Sequence, residues 1–439
     1  MAIHSPSSIV HPRRILIRGV NWLGDAVMTT PALLRLREKF PDAYISLLTP
    51  EKLKDLWLNH PAVNQTILLA PGETVFAVVK KLRRWGERTR EPLCMPKNET
   101  TPAREDARPT SFDLVLVLPN SPRSAIEMWL ARIPRRIGYA RPWRNPFLTH
   151  AVPPRVGVVK MRKRSVAEIR HLIANPTQNS KLKIQNFSSH QIHEYLHLAA
   201  ALGANPEPLA PQLFVAPEEI EAAKKKFRLE SLNRTGGTPV PLFGLNPGAE
   251  YGPAKCWPIE RFIAVVKEIQ QRTNCVWLIF GGKNDSAIAT EIQLAIGNRQ
   301  LAINLAGQTS LRELMTLLKL CRVLLTNDSG PMHVAAALGT PVVVPFGSTS
   351  PELTGPGLPG DPPAWPELAS QTRLTIHQRL DTKTALETLQ RGEGPRHRLL
   401  KSDAPCSPCF LRECPIDFRC MTGISVERVV EAVISAQRR

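Results

Sequence analysis

The chain has 439 residues, yet no uninterrupted apolar run in it approaches the length of a membrane span. Its best stretch, Val334 to Phe346, is broken by Gly339, Thr340 and Pro341. The amino end, Met1 to Arg14, lacks the apolar region of a signal peptide. The expectation is a soluble, cytoplasmic protein. Aromatic residues are only 6% of the chain, which leaves few stacking platforms, and no RNA- or DNA-binding motif occurs. Nucleic acid is therefore not an expected partner. No G-x-x-x-x-G-K-[ST] loop is present, so this is not a Walker-type nucleotide site. Negative charge is also scarce: 38 Asp+Glu face 57 Lys+Arg, a formal net charge of +19. The excess clusters at Lys80–Arg84, Arg132–Arg144, Lys160–Arg164 and Lys224–Lys226. With nucleic acid set aside, an anionic membrane surface is the partner class such a balance fits, and solubilising surface charge is the plainer reading for some clusters.

What is present is alternation. Short apolar runs at Ile15–Ile17, Tyr44–Leu48, Thr66–Leu69 and Asp113–Leu118 are separated by amphipathic stretches. A second series of strands is expected at Leu242–Leu245, Val276–Phe280, Val323–Leu325 and Val342–Val344. Helices are expected at Pro258–Gln271, Asp285–Ile296, Leu311–Leu320 and Met332–Leu338. Strand–helix alternation means parallel sheets, and this length means two α/β domains. The predicted boundaries are an amino-terminal domain at 1–204 and a carboxyl-terminal domain at 212–424. An amphipathic helix at 425–439 follows. The polar, Pro-rich or basic stretches 87–110, 161–189 and 355–400 are expected to be insertions, the first two of them mobile.

Three turns at strand ends carry candidate chemistry. The first is Asn21-Trp22-Leu23-Gly24-Asp25, between the Ile15–Ile17 strand and a helix from Ala26 to Phe40. Carboxyl ends of strands are where open α/β sheets bind ligands. Simple helix capping by Asp25 is the plainer reading. The second is Asn327-Asp328-Ser329-Gly330-Pro331-Met332-His333. A helix amino end there offers unpaired N–H groups to a phosphate, and Gly330 permits close approach. Capping by Asp328-Ser329 and a packed His333 are the alternatives. The third is Asn246-Pro247-Gly248-Ala249-Glu250-Tyr251-Gly252-Pro253-Ala254-Lys255-Cys256-Trp257. Lys255 could reach a diphosphate as a mobile charge; spacing alone favours a solvated surface lysine.

Cysteine is concentrated at one place. Cys406, Cys409, Cys414 and Cys420 fall within fifteen residues. Zinc or redox chemistry is the usual reading of such a cluster. Here the two halves lie closer together than in common zinc patterns, and a cytoplasmic chain argues against lasting disulfides. A structural metal at the cluster stays an open alternative, and no metal ligand is assigned among the site residues. Cys94, Cys256, Cys275 and Cys321 read as ordinary residues.

Taken together, the three turns resemble glycosyltransferase family 9. The likeness extends to Leu118-Pro119-Asn120-Ser121, Arg135-Arg136-Ile137-Gly138-Tyr139, Pro345–Pro351, Cys406-Ser407-Pro408-Cys409 and Cys414-Pro415. It is carried by roughly Arg13–Val79, Phe112–Tyr139 and Pro241–Pro356. The resemblance implies the GT-B fold: two doubly wound, Rossmann-like domains facing across a cleft. It implies an inverting transferase that moves heptose from ADP-L-glycero-D-manno-heptose to the first heptose of the lipopolysaccharide inner core. The acceptor is then heptosyl-Kdo-lipid A, and the enzyme would work peripherally on the cytoplasmic face of the inner membrane. No cofactor is implied.

Such a reaction needs a base for the acceptor hydroxyl and positive charge for the departing diphosphate. Asp25 is the candidate base, expected on the domain opposite the phosphate turns. Lys255 and the helix start at Ser329-Gly330 are the diphosphate candidates, and Asp328 would bind sugar hydroxyls. Asn21, Gly24, Gly248, Glu250 and His333 complete the substrate-binding set, with Asp285 and Thr309 lining an adenosine pocket. Within the family, members adding the first or a later heptose, or another sugar, are the nearest rivals. From other classes, a GT-B nucleotide-sugar epimerase and a non-catalytic metal-binding protein stay open.

Overall fold

The computed structural model describes residues 12–88, 112–159, 161–176, 189–232, 240–298, 301–357 and 397–437. Contacts divide the chain into two units. The first gathers 1–22, 29–156 and 192–208; the second gathers 23–28, 157–191 and 209–439.

In the first unit, three aliphatics between two arginines form β1 (Arg14–Arg18), buried along nearly its whole length. A strand buried on both faces belongs inside a parallel sheet. It pairs in parallel with β2 (Tyr44–Pro50) on one side and β4 (Leu114–Val117) on the other. With β3 (Gln65–Leu69), β5 (Arg135–Tyr139) and β6 (His150–Val152), the sheet runs β3-β2-β1-β4-β5-β6. The helices are α1 (Leu23–Lys39), α2 (Val75–Arg88), α3 (Pro122–Leu130) and, later in the chain, α5 (Ile192–Ala200). The first turn of α1 groups with the second unit. Chain direction reverses its lateral progress between β1 and β4, which makes their carboxyl ends a topological switch point.

The second unit repeats this order. Strands β7 (Leu242–Asn246), β8 (Val276–Ile279), β9 (Ala302–Asn304), β10 (Val323–Thr326), β11 (Val342–Phe346) and β12 (Arg398–Lys401) lie as β12-β11-β10-β7-β8-β9, all parallel. Its switch point falls between β7 and β10. Helices α4 (Val166–Ala174), α6 (Pro217–Lys226), α7 (Ile259–Thr273), α8 (Ser286–Ile296), α9 (Leu311–Leu320) and α10 (Gly330–Ala337) accompany the sheet. The terminal helix Val426–Gln437 joins the core with α7: Val429, Val430 and Val433 cluster with Phe262, Val265, Val266 and Ile269. Each such buried aliphatic contributes about 1.5–3 kcal/mol.

Several expectations change. The 161–189 stretch was expected to be a mobile loop of the amino domain. Instead Val166–Ala174 is a helix with a full capping box, Ser165 to Glu168 N–H and Glu168 to Ser165 N–H, and the stretch groups with the second unit. Residues 177–188 lie outside the described residues. The terminal helix is part of the second unit's core and not an appendage. The 355–400 insertion ends in β12, which closes one sheet edge on β11; 358–396, and 89–111 of the first insertion, lie outside the described residues. Among the described residues no helix is long and apolar enough to cross a membrane.

Candidate functional site

At the second unit's switch point, the carboxyl ends of β7 and β10 carry adjacent asparagines that tie two loops together. Asn246 donates through Nδ2 to the Gly248 carbonyl (3.1 Å), Thr326 Oγ1 (3.3 Å) and Ser329 Oγ (3.3 Å). Asn327, fully buried, donates to the Pro247 carbonyl (2.6 Å) and accepts from the Trp257 N–H (3.0 Å). Buried amides remain only where such bonds are made, so the pair fixes the 247–257 loop over the start of α10. Within it, Lys255 Nζ lies 2.6 Å from Asp328 Oδ2. Thr349 Oγ1 donates to the same oxygen at 2.6 Å. The Lys255 side chain is 15% exposed and sits 5.0 Å from the Tyr251 ring centroid. The solvated-lysine reading is thereby corrected, because its charge is held by Asp328 and an aromatic face.

Helix α10 starts at Gly330, and Ser329, at its cap position, makes no side-chain capping bond. Asp328 is committed to Lys255 and Thr349. The capping reading of Asp328-Ser329 is therefore not what is found, and the helix amino end carries no side-chain cap. Pro331 and His333 fall in the first turn, with Met332 and His333 buried. Burial, ahead of the opposing pull of Asp328, lowers the His333 pKa to about 4, so its imidazole is neutral at physiological pH.

Leu23–Met28 belong to this same unit. Asp25 was expected on the opposite domain from the phosphate turns; it groups with them. A Cβ added to Gly24 would lie 2.7 Å from His333 Cδ2, and one added to Gly330 would meet Leu23 at 2.9 Å. A side chain at either place would force its neighbour to shift. Asp25 does not cap α1, whose cap residue, Trp22, makes no side-chain bond. Its Oδ1 instead accepts from Gln191 Nε2 at 3.1 Å. Burial raises the Asp25 pKa, against the opposing effects of the Gln191 bond and the Lys255 charge. A half-desolvated carboxylate of that kind is a stronger base than one in water.

The remaining candidates divide. Asp285 accepts from the Gly282 N–H at 2.8 Å, and a Cβ on Gly248 would collide with its carboxylate. Gly248 and Asp285 are thus brought together as one wall. Glu250 and Asn21 are exposed, and Thr309 lies half-buried in the β9–α9 connection. Thr349, Gln191, Asn246 and Asn327 had not been singled out. The Ser348-Thr349-Ser350 run in the loop after β11 was a visible signal for Thr349; Gln191 had none.

The cysteine segment braces this site. Cys409 and Phe410 N–H groups donate to the Ser348 carbonyl (3.1 and 2.7 Å), and Ser407 Oγ to the Gly347 carbonyl (2.7 Å). Tyr251 O–H donates to the Phe410 carbonyl (2.8 Å), and Arg412 Nε to the Tyr251 carbonyl (2.8 Å). The segment therefore holds both the Thr349 loop and the Lys255 loop. Burial raises the thiols of Cys406 and Cys409 and pushes Cys420 up to about 12. Among the described residues no group of three or more His, Cys, Asp or Glu is placed to hold a metal ion.

The chain has clear relatives among known proteins. The family model of glycosyltransferase family 9 (heptosyltransferase) matches residues 104–382. Lipooligosaccharide heptosyltransferase 2 of Haemophilus ducreyi is 31% identical over 352 residues, covering 78% of this chain and 86% of the relative. Lipopolysaccharide heptosyltransferase 2 of Escherichia coli is 30% identical, covering 78% and 85%. Among solved structures, E. coli ADP-heptose lipopolysaccharide heptosyltransferase II superposes with a TM-score of 0.65 at 23% identity, covering 97% of this chain and 98% of that one. A family 9 glycosyltransferase from Veillonella parvula gives 0.64 at 20%, covering 97% of each. Those structural likenesses show the fold: two parallel six-stranded sheets flanked by helices, the GT-B pattern.

Proposed function

The chain belongs to glycosyltransferase family 9, and we infer from its site that it transfers heptose from ADP-heptose to the first heptose of the lipopolysaccharide inner core. Heptose transfer in inner-core biosynthesis follows from the relatives that cover the chain. The choice of ADP and of the accepting heptose is the finer reading. One observation carries it: Lys255, Asp328 and the uncapped start of α10 converge at the switch point between β7 and β10. A lysine cation beside a helix amino end without a side-chain cap suits a diphosphate.

In this reading the donor's diphosphate draws Lys255 from Asp328, which frees the carboxylate for sugar hydroxyls. Asp25 removes the acceptor hydroxyl's proton as oxygen attacks the anomeric carbon, and the carbon–phosphate oxygen bond breaks with its electrons on the diphosphate. Lys255 and the α10 amino end stabilise that charge. Neutral His333 fills the space beside Gly24 and keeps the Asp25 turn seated. Incubation with ADP-heptose and core-truncated lipopolysaccharides, followed by product mass measurement, tests the assignment. A single heptose added to the one-heptose core supports it; addition only to a heptose-free core would refute it.

The enzyme would meet its lipid-linked acceptor as a peripheral protein on the cytoplasmic face of the inner membrane. Each Lys or Arg near an anionic surface contributes about 1 kcal/mol within a Debye length of roughly 8 Å. The sequence clusters supply fewer such groups than their count suggests. Arg162 pairs with Glu168 (2.6 Å) and Lys81 with Glu73 (2.7 Å), Arg136 bonds the Phe147 carbonyl (2.7 Å), and Lys160 is outside the described residues. Among the described residues, exposed Lys80, Arg84, Arg132, Lys163 and Lys225 remain. Co-sedimentation with anionic vesicles that vanishes in molar salt is the expected result, and equal binding to neutral vesicles would count against it.

A further inference from the structure

The β5–β6 connection in the first unit contains a turn with an unusual occupant. Arg141-Pro142-Trp143-Arg144 is closed by the Arg144 N–H to the Arg141 carbonyl (3.4 Å), with Asn145 Oδ1 accepting from the Arg141 N–H at 2.9 Å. Pro142 holds the second place and Trp143 the third, at φ +67°. That is the place where a type II turn favours glycine. A tryptophan there is strained by its backbone. Nor does packing compensate, since Trp143 is 86% exposed.

The turn is nevertheless rigidly rooted. Arg144 is fully buried, and its Nη1 donates to the Pro119 carbonyl (2.9 Å) and approaches Asn120 Oδ1 (3.4 Å). Its Nε and Nη2 have no partner among the described residues. Gly138 lacks the Cβ that would lie 2.8 Å from Nη2, so the guanidinium rests on β5. Pro119 and Asn120 belong to the loop leaving β4, the first unit's switch point. Two unfavourable features, a buried guanidinium without a carboxylate and a left-handed tryptophan, fix one indole at the ligand-binding edge of the sheet. Arg141, its guanidinium 5.6 Å from the Tyr139 ring centroid, sets a positive charge on the same turn.

We propose that the Arg141–Arg144 turn is an acceptor-recognition element, in which the Trp143 indole stacks on a sugar face and Arg141 pairs with an anionic group of the same saccharide. The proposal rests on the heptosyl-acceptor reading above and adds the residues that would select the acceptor. An aromatic face and a guanidinium on one rigid turn match a ligand with an apolar C–H face and a carboxylate or phosphate. The site's tether to the switch-point loop favours a saccharide in the sheet's binding edge over a bilayer beyond it.

Trp143→Gly separates recognition from folding, because glycine relieves the turn while removing the indole. With ADP-heptose and the one-heptose inner-core saccharide freed of acyl chains, the variant should raise the acceptor KM about tenfold, the scale for an exposed aromatic anchor. The donor KM should stay within about twofold and Tm should hold or rise. Trp143→Phe, which keeps a ring, should remain within about threefold of wild type. An acceptor KM unchanged in Trp143→Gly, or a fall in its Tm, would overturn the assignment. So would a defect confined to acylated acceptor in anionic vesicles, which would give Trp143 to the membrane. If wild-type protein transfers no heptose to this acceptor, the functional reading itself fails and the turn's role falls with it; wild-type transfer with an unaffected variant removes the turn's role alone.

Discussion

The two sheets share one strand order, yet their switch points are furnished oppositely. After β4, Ser121 caps α3 by accepting from the Ser124 N–H at 3.3 Å. After β10, in the equivalent position, α10 has no side-chain cap. Beside β4, a buried ion pair of Arg18 and Glu127 (3.3 Å) neutralises itself, with Glu127 also bonded to Arg123 (2.8 Å). Beside β10, Lys255 and Asp328 are paired at 2.6 Å, a contact that the donor's diphosphate would replace in the proposed reading. Topology thus supplies a place for a ligand twice, and side chains decide what enters. The first unit's edge has its helix start capped by Ser121, and the second unit's edge leaves its helix start without a side-chain cap.

The sharpest test of that division is Asp25→Asn. Transfer should fall by about 100-fold or more, the range for losing a general base. Donor affinity should persist and Tm should not drop, since a carboxylate whose ionised form is disfavoured by burial is replaced by a neutral amide. A raised pKa means the base is fully ionised only above the ordinary Asp range. Wild-type kcat should therefore decline on acidification at a higher pH than an unperturbed aspartate would give, and that limb should disappear in the variant. Near-normal turnover of Asp25→Asn would end the case for a base at this position.

Lys255→Ala comes next. Losing the cation should lower kcat/KM by roughly 10- to 1000-fold and weaken ADP binding, as expected for a charged contact made in the transition state. Titration calorimetry with ADP reads the binding part. Unchanged ADP affinity together with unchanged rate would break the proposed contrast between self-neutralised and ligand-ready pairs.

A smaller effect concerns seating of the Asp25 turn. Gly24→Ala should cost about 1–3 kcal/mol, because its Cβ would overlap His333. His333→Ala in the same chain should recover part of that loss, a coupling readable in a denaturant double-mutant cycle. The depressed His333 pKa adds a pH signature: its contribution to stability is complete above about 6.5 and declines as pH falls toward about 4, because only the unfolded state takes up the proton there. The smallest expected change is Ser121→Ala, about 1 kcal/mol of stability through the lost cap, with ADP affinity untouched. An ADP-affinity loss from Ser121→Ala would mean that the two helix starts are not so different.

Much of this was readable from the chain alone, for reasons visible residue by residue. Strands such as Ile15–Ile17 and Val342–Val344 announce themselves because burial on both faces demands continuous apolar runs. β5 does not, since Arg135 and Arg136 interrupt it, and Arg136 is accommodated through carbonyls of Ile133, Pro134 and Phe147. α4 was obscured by basic residues although Ser165-Val166-Ala167-Glu168 spells a capping box. The three turns were legible as chemistry. Their assembly was not: Lys255 reaches Asp328 across 73 residues and Gly24 meets His333 across 309, distances that no local pattern encodes. The grouping of Asp25 with the phosphate turns likewise depends on packing.

The clasp formed by residues 407–412 has a consequence in time. Tyr251 and Phe410 are separated by 159 positions, and the terminal helix closes on α7 from farther still. A nascent chain can complete α7, β10 and α10 long before either contact is possible. Loop-closure entropy is then met only at the end, so the second unit should mature late and in a concerted step. Until then β11 has no β12 alongside it and offers an unpaired edge to other chains. During synthesis, the interval between emergence of β11 and emergence of the clasp is where this protein is most in need of a chaperone.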